Sequence, residues 1–148
     1  VIIVFQQSFK HLSTMNRTHL EGAAEALAAQ KGYAFHTGPE DGMAHTVRSY
    51  PAAWLAPLEL HAVEGRSHGR ATYDMTLHLL SSGARLSPTE RRAALARMEE
   101  QLLEIFAALS LDERVLAVEG LSVRPRAFAL TPHGEISQTA AARIVTFF

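Results

Sequence analysis

The sequence predicts a single α+β domain, in which a mainly antiparallel β-sheet with one long β-hairpin packs against two α-helices. Two stretches place apolar residues at helical spacing, and several others alternate apolar and polar residues with the period of two that strands show. The length of 148 residues is that of one domain, and the 47% hydrophobic fraction is ordinary for a folded protein. We therefore predict one domain over residues 15–148, preceded by a distinct segment over residues 1–14.

The segment VIIVFQQSFKHLST, residues 1–14, differs in character from the rest of the chain. Met15 then opens a stretch that reads like a natural protein start. Residues 1–14 are therefore either an N-terminal extension that is not native to the domain or an arm in which residues 1–5 form a strand. The sequence leaves both interpretations open.

The first helix is predicted to begin at Thr18. Thr18 and Glu21 match a capping box, in which each side chain accepts a hydrogen bond from the other residue's backbone N–H. Apolar residues then recur at helical spacing, and Gly32 is a typical C-terminal stop. A short strand over residues 33–37 and a turn over residues 38–42 are expected to come next.

A long hairpin is predicted in the middle of the chain. Its first strand covers residues 53–63, where Pro57 marks an edge or a bulge because proline has no N–H to donate. Residues 64–69 form the connecting loop. The second strand, residues 70–80, alternates so regularly that one face should be dry and the other wet. The predicted dry face consists of Ala71, Tyr73, Met75, Leu77 and Leu79.

The second helix is the most strongly predicted element. Ser87 is its N-cap, Pro88 is its first residue, and Glu90 completes a capping box. Its apolar stripe predicts packing on the sheet. The residues expected at that contact are Leu95, Met98, Leu102, Phe106 and Leu109.

The remainder of the chain is predicted to be β structure. Strands are expected over residues 115–118, 121–130 and 136–148, with a turn over residues 131–134. The last strand finishes in a β-branched and aromatic run. A strand of that kind must be paired or covered, because otherwise it becomes a template for association.

The residue patterns of the common enzyme sites are missing from the sequence. There is no cysteine, no nucleophile elbow and no glycine-rich phosphate loop. Of the eight histidines, His61 and His78 are expected on facing strands of the hairpin, where they can pair, but no further ligand stands at a metal-binding spacing. We therefore predict no catalytic residue, no metal and no cofactor.

The charge and the apolar runs limit the classes of partner. The net charge of −1 lacks the basic excess of a protein that grips phosphates. The longest apolar stretch, residues 1–5, is far too short to cross a bilayer. We therefore expect neither a membrane nor a sequence-specific nucleic acid as a partner, and a cytoplasmic location by default.

Three stretches of the sequence resemble the tail-terminator, or tail-completion, proteins of long-tailed bacteriophages: GRATYDMTLHLL, LSPTERRAALARMEEQLLEIFAAL and GEISQTAAARIVTFF. The resemblance is one of pattern and size, and it covers residues 18–148, whereas residues 1–14 have no counterpart. It implies a structural protein that forms a homo-oligomeric ring, usually sixfold, at the head-proximal end of the tail tube. Such a ring stops tube growth and meets the tail-tube and head-connector proteins. The resemblance thus implies a place in the virion tail after assembly in the host cytoplasm, and no catalytic residue or cofactor carries over.

Subunit contacts are expected at the hairpin loop and at the last strand. The candidates are Arg66, His68, Arg70, Val145, Phe147 and Phe148. Two other classes stay open, namely a homo-oligomeric module that binds a ligand or a partner through its sheet, and a small enzyme with a polar pocket. Size-exclusion chromatography with light scattering separates the three, because a ring favours tail assembly, a dimer favours the module and a monomer with a polar pocket favours the enzyme.

Overall fold

The structure is a computed structural model that describes residues 2–66 and 68–148, with only the backbone over residues 2–15. Its helices are α1 (Ile2–Gln30), α2 (Met43–Thr46) and α3 (Pro88–Ser110). Its strands are β1 (Ala34–Thr37), β2 (Ala52–Leu55), β3 (Glu59–Gly65), β4 (Gly69–Ser81), β5 (Val115–Pro125) and β6 (Ile136–Phe147). A 3-10 turn, Glu40–Gly42, precedes α2. This content confirms the predicted single α+β domain.

The strands form one six-stranded sheet that is built around β4. On one side β4 pairs with β6 along its whole length. On the other side it pairs with β3 along its first half and with β2 along its second half. β5 pairs with the outer side of β6, and β1 pairs with β2. Among the described strands only the β1–β2 pair is parallel, so the mainly antiparallel sheet is also confirmed.

The first strand of the predicted hairpin is divided in two. β2 and β3 replace the single strand expected over residues 53–63, because the chain leaves the ladder around Pro57. The Ala56 N–H still donates to the Thr76 carbonyl at 3.1 Å, so the chain stays beside β4 across the break. The irregularity expected at Pro57 is therefore a break between two strands that share one neighbour.

Helix α1 begins earlier than the sequence predicted. The backbone is helical from Ile2, whereas the capping box placed the start at Thr18 and the alternative for residues 1–5 was a strand. Val1 itself lies outside the described residues. Neither glycine nor proline interrupts residues 2–21, and threonine is tolerated inside a helix at small cost, so a capping pattern does not by itself start a helix. One continuous helix crosses the expected boundary after residue 14, and a domain division at that point stays a prediction.

The two long helices cover one face of the sheet. The Ser87 hydroxyl caps α3 by accepting from the Glu90 N–H at 3.1 Å. The apolar stripe of α3 packs on the sheet as predicted, except that Leu95 is only partly buried while Ile105 is fully part of the contact. From α1, the core receives Leu20, Ala24 and Ala28, and from β4 it receives the predicted dry face, Ala71, Tyr73, Met75, Leu77 and Leu79.

The opposite face of the sheet is covered in part by a second, smaller core. Under α2, this core contains Met43, Val47, Ala52, Trp54 and Leu80. It lies at the end of the sheet where β2 pairs with β4. Polar side chains of β4, β5 and β6 occupy the rest of this face, where they line two open clefts.

Candidate functional site

Five of the six predicted subunit contacts lie together at one end of the sheet. They are Arg66, His68, Arg70, Phe147 and Phe148. Arg70 is the register partner of Phe147, and Gly69 exchanges two backbone hydrogen bonds with Phe148, at 3.0 and 3.2 Å. Ser67 of the same loop lies outside the described residues. We call this end, where β4 begins and β6 ends, the hairpin end.

The hairpin end exposes apolar side chains on two edge strands and on one inner strand. Val63 of the edge strand β3 and Leu116 of the edge strand β5 are 43 and 50% exposed, and Phe147 of the inner strand β6 is 46% exposed. The sixth predicted contact, Val145, is only 6% exposed, so its side chain stabilises the subunit's own fold and presents no surface. Large apolar side chains on strands with an unpaired edge are typical of surfaces that meet another protein.

The other end of the sheet carries a cleft of about 690 Å³. Thr139 and Ala141 of β6 lie at its base, and the connection from β5 to β6 forms its wall. Arg124, Arg126 and Phe128 line it as well. We call this space the loop cleft. Its volume falls in the range of about 300–1,000 Å³ that small-ligand sites occupy.

A chain of hydrogen bonds runs beneath the loop cleft and joins four segments. The Thr139 hydroxyl lies 2.7 Å from His78 Nδ1, and His78 Nε2 lies 2.8 Å from Glu40 Oε1. Arg126 Nε donates to the same Thr139 hydroxyl at 3.1 Å. A carboxylate only accepts, so Nε2 carries the proton; Nδ1 of a neutral ring then accepts from Thr139. The protons therefore run in one direction, from Arg126 to Thr139 to His78, and the His78 ring donates in turn to Glu40.

The burial of His78 keeps its ring neutral. Its side chain is 0% exposed, and this desolvation lowers the pKa of His78 below the usual histidine value. The hydrogen bond and the charge of Glu40 act in the opposite direction, but they do not restore the usual pKa. The nearby Arg126 cation lowers the pKa further. In the neutral ring with the proton on Nε2, Nδ1 can accept from the Thr139 hydroxyl.

A buried carboxylate fixes the wall of the loop cleft. Glu135 is 2% exposed and accepts from the backbone N–H groups of Leu130 and Thr131, at 2.6 and 2.9 Å. The Thr131 hydroxyl donates to the second carboxylate oxygen. His133 also reaches the carbonyl of Ala44 in α2, at 3.4 Å. The β5–β6 connection is therefore cross-linked internally by Glu135 and is joined to α2 by His133.

Sequence reasoning did not identify either of these buried groups. His78 was placed on the wet face opposite His61, but His61 lies beside Asp74 at 3.4 Å, whereas the cross-strand neighbours of His78 are Trp54 and Thr139. The pairing with His61 was wrong because β3 lies beside the first half of β4 and β2 lies beside the second. Glu135 comes directly after a turn, and a glutamate there gives no local signal of burial.

A second cleft of about 580 Å³ adjoins the loop cleft, since Ser122 and Ala141 line both. Glu59, Asp74 and Glu119 make this second cleft acidic, and Arg143 lies 3.6 Å from Asp74 within it. The uncovered face is therefore acidic at one part and basic at the other, where Arg124 and Arg126 stand.

Neither a metal centre nor a membrane span is found within the part of the chain that the structure describes. No group of three histidine, aspartate or glutamate side chains there could hold a metal ion. None of its helices has both the length and the apolar character that crossing a bilayer requires. No protein-family model matches the sequence, and no curated protein matches it.

Proposed function

We propose that the chain is a structural assembly protein that works as a homo-oligomeric ring, as phage tail terminators do. In this proposal the ring caps the tail tube at its head-proximal end, stops its growth and joins it to the head-connector proteins. The protein would be assembled into the virion tail in the host cytoplasm, with no catalytic residue, no cofactor, no membrane partner and no sequence-specific nucleic acid.

The observation that supports this proposal is the hairpin end. Val63 and Leu116 are exposed there on β3 and β5, whose outer edges no other described strand covers, and Phe147 is exposed on β6 between β4 and β5. A monomer gains nothing from apolar residues at an open edge, because they invite association. In a ring, each subunit covers such a surface on its neighbour.

Removal of the gene tests the proposal. Particles of the phage or prophage that encodes the chain, made without it, should carry tails of irregular and excessive length that do not join heads. Electron micrographs give both the length distribution and the fraction of joined heads. Restoring the wild-type gene from a plasmid is the control. Normal tails on normal particles in the absence of the chain would reject the proposal.

A binding module is the second candidate, and the loop cleft favours it because its volume suits a small ligand.

The order of Glu40, His78 and Thr139 also resembles the carboxylate, imidazole and hydroxyl of acyl-transfer enzymes. However, the Thr139 hydroxyl already accepts from Arg126, and β6 is paired on both sides, so its backbone N–H groups are engaged in the sheet. Thr139 itself pairs with His78 on one side and with Arg124 on the other, so a structural role for this chain of hydrogen bonds is favoured.

A further inference from the structure

Resting on the proposed ring, we propose which surfaces of neighbouring subunits meet. The turn between α3 and β5, residues 111–113, docks into the loop cleft of the next copy of the chain. Leu111 packs on Phe128, and the Glu113 carboxylate lies between Arg124 and Arg126. We call residues 111–113 the acidic turn.

The acidic turn presents an apolar side chain and a carboxylate on a rigid support. Leu111 is 86% exposed, and Glu113 is also exposed. The Asp112 carboxylate accepts from the Arg114 N–H at 2.9 Å and lies 2.7 Å from His19 Nε2, so it fixes the turn. Burial alone would raise the pKa of Asp112, but the hydrogen bonds and charges of Arg114 and His19 bring it below the usual value. Asp112 is thus engaged within the turn, and Glu113 is left as an exposed carboxylate.

The loop cleft has the complementary character. Phe128 is 87% exposed, so the loop cleft presents an apolar side chain on which Leu111 can pack. No carboxylate among residues 16–66 and 68–148 lies within ion-pair distance of Arg124 or Arg126. The hydrogen bond from Arg126 Nε to Thr139 fixes that side chain against the base of the cleft. An arginine fork held in this way is pre-organised for a carboxylate.

These two surfaces lie at opposite ends of the same strand. The acidic turn precedes β5 and the loop cleft lies at the far end of β5, whose eleven residues at about 3.3 Å each span about 36 Å. A contact between unlike surfaces at opposite ends is head-to-tail, which is the kind that closes into a ring when the rotation per subunit allows it.

The arginines of the hairpin loop do not oppose this contact. Arg70 lies on β4, two strands away from β5, and Arg66 lies in the β3–β4 loop beyond it. Two strand spacings are about 10 Å, which exceeds the Debye length of about 8 Å at physiological salt. The charges of the hairpin loop are therefore largely screened from the contact that Glu113 makes.

Cysteine cross-linking tests the contact directly, because the natural chain has no cysteine. The variant Leu111→Cys with Phe128→Cys should form a ladder of disulfide-linked oligomers under mild oxidation. The matched control is Leu103→Cys with Phe128→Cys, since Leu103 is exposed on α3 away from the acidic turn. Docking raises the effective concentration of the two thiols, so the ladder should form at least about tenfold faster than in the control. Equal rates in the two variants would overturn the contact.

Charge exchange gives a second readout that needs no cysteine at the contact. Glu113→Arg or Arg124→Glu alone should lower the fraction of oligomer, and the two changes together should restore it. Arg124 is chosen because Arg126 also bonds to Thr139. Unaltered oligomers in the single variants, or no recovery in the double variant, would reject the pairing.

The failure of this contact can be distinguished from the failure of the proposed function. If the wild-type protein forms a ring in light scattering but the Leu111→Cys, Phe128→Cys variant cross-links no faster than its control, the acidic turn is not the contact. The proposed ring itself is not rejected by that result. If light scattering shows no ring and oxidation gives no ladder, the contact is also rejected. The proposed function is then decided by the tail lengths of the deletion mutant alone.

Discussion

Replacing Thr139 with valine removes one hydroxyl from beneath the loop cleft and leaves the shape of the side chain nearly unchanged. Both residues are β-branched, so the strand preference of β6 is preserved. The change deletes the donor to His78 Nδ1 and the acceptor for Arg126 Nε. Losing the bond to His78 costs more free energy than losing the bond to Arg126. His78 is buried, whereas water can replace the hydroxyl at the exposed Arg126.

The magnitude of the loss is set by the buried partner. An unsatisfied buried acceptor costs about 1–3 kcal/mol, and the exposed bond to Arg126 adds little. His78 cannot escape by moving its proton to Nδ1, because Nε2 would then face the Glu40 carboxylate without a proton. We expect Thr139→Val to lower the free energy of unfolding by about 2 kcal/mol, in the middle of that range.

Urea denaturation followed by circular dichroism measures this loss. With a denaturant dependence of about 2 kcal/mol per molar, the midpoint should fall by about 1 M. Thr139→Ser keeps the hydroxyl and is the control, which should cost less than about 1 kcal/mol. If the valine variant is as stable as the serine variant, then the assigned direction of hydrogen bonds through Thr139 and His78 is wrong.

Three further changes test the fold and the buried groups. Glu135→Ala should lower the free energy of unfolding in urea by about 3–5 kcal/mol, because it leaves three donors without their acceptor. Glu135→Gln should lower it less. Equal losses in the two variants would contradict the role of the carboxylate. Leu102→Ala should lower the free energy of unfolding by about 2–5 kcal/mol. The control is Leu103→Ala, which should lower it much less because the Leu103 side chain is 47% exposed. Similar losses in the two variants would show that the buried face of α3 is misassigned. The wild-type free energy of unfolding should fall as the pH drops below about 6.5, because the unfolded histidine takes up a proton before the folded His78, whose pKa is lowered. That slope, measured by urea midpoints, should shrink in His78→Gln and persist in His45→Gln, and an unchanged slope in His78→Gln would exclude His78 as its source.

Local patterns in the sequence predicted most of the fold. The strict alternation in β4 and the capped apolar stripe of α3 each specify which side chains face the core, and both were confirmed. Such patterns indicate which side of a helix or strand faces the core, but they do not indicate which other element it pairs or packs with. The sequence therefore could not show that the partner of β4 changes from β3 to β2 at Pro57.

The polar groups beneath the loop cleft were beyond sequence reasoning for the same reason. His78 alternates correctly with the apolar face of β4, so its position was predicted, but its burial comes from Glu40 and Thr139, which lie 38 and 61 residues away along the chain. At the hairpin end the outcome was different, because one loop and one terminal run carried the signal. Five of those six candidates lie together, and their role as subunit contacts stays a prediction.

We propose that the chain forms a ring at the head-proximal end of a phage tail. Gold-labelled antibodies against the chain, applied to isolated tails of the phage or prophage that the proposal assigns it to, locate the protein directly in electron micrographs. Tails from the deletion mutant are the control for non-specific labelling. We predict one labelled position per tail, at the end that joins the head. Label along the whole tube, label at the opposite tip, or no label on wild-type tails would contradict the claim.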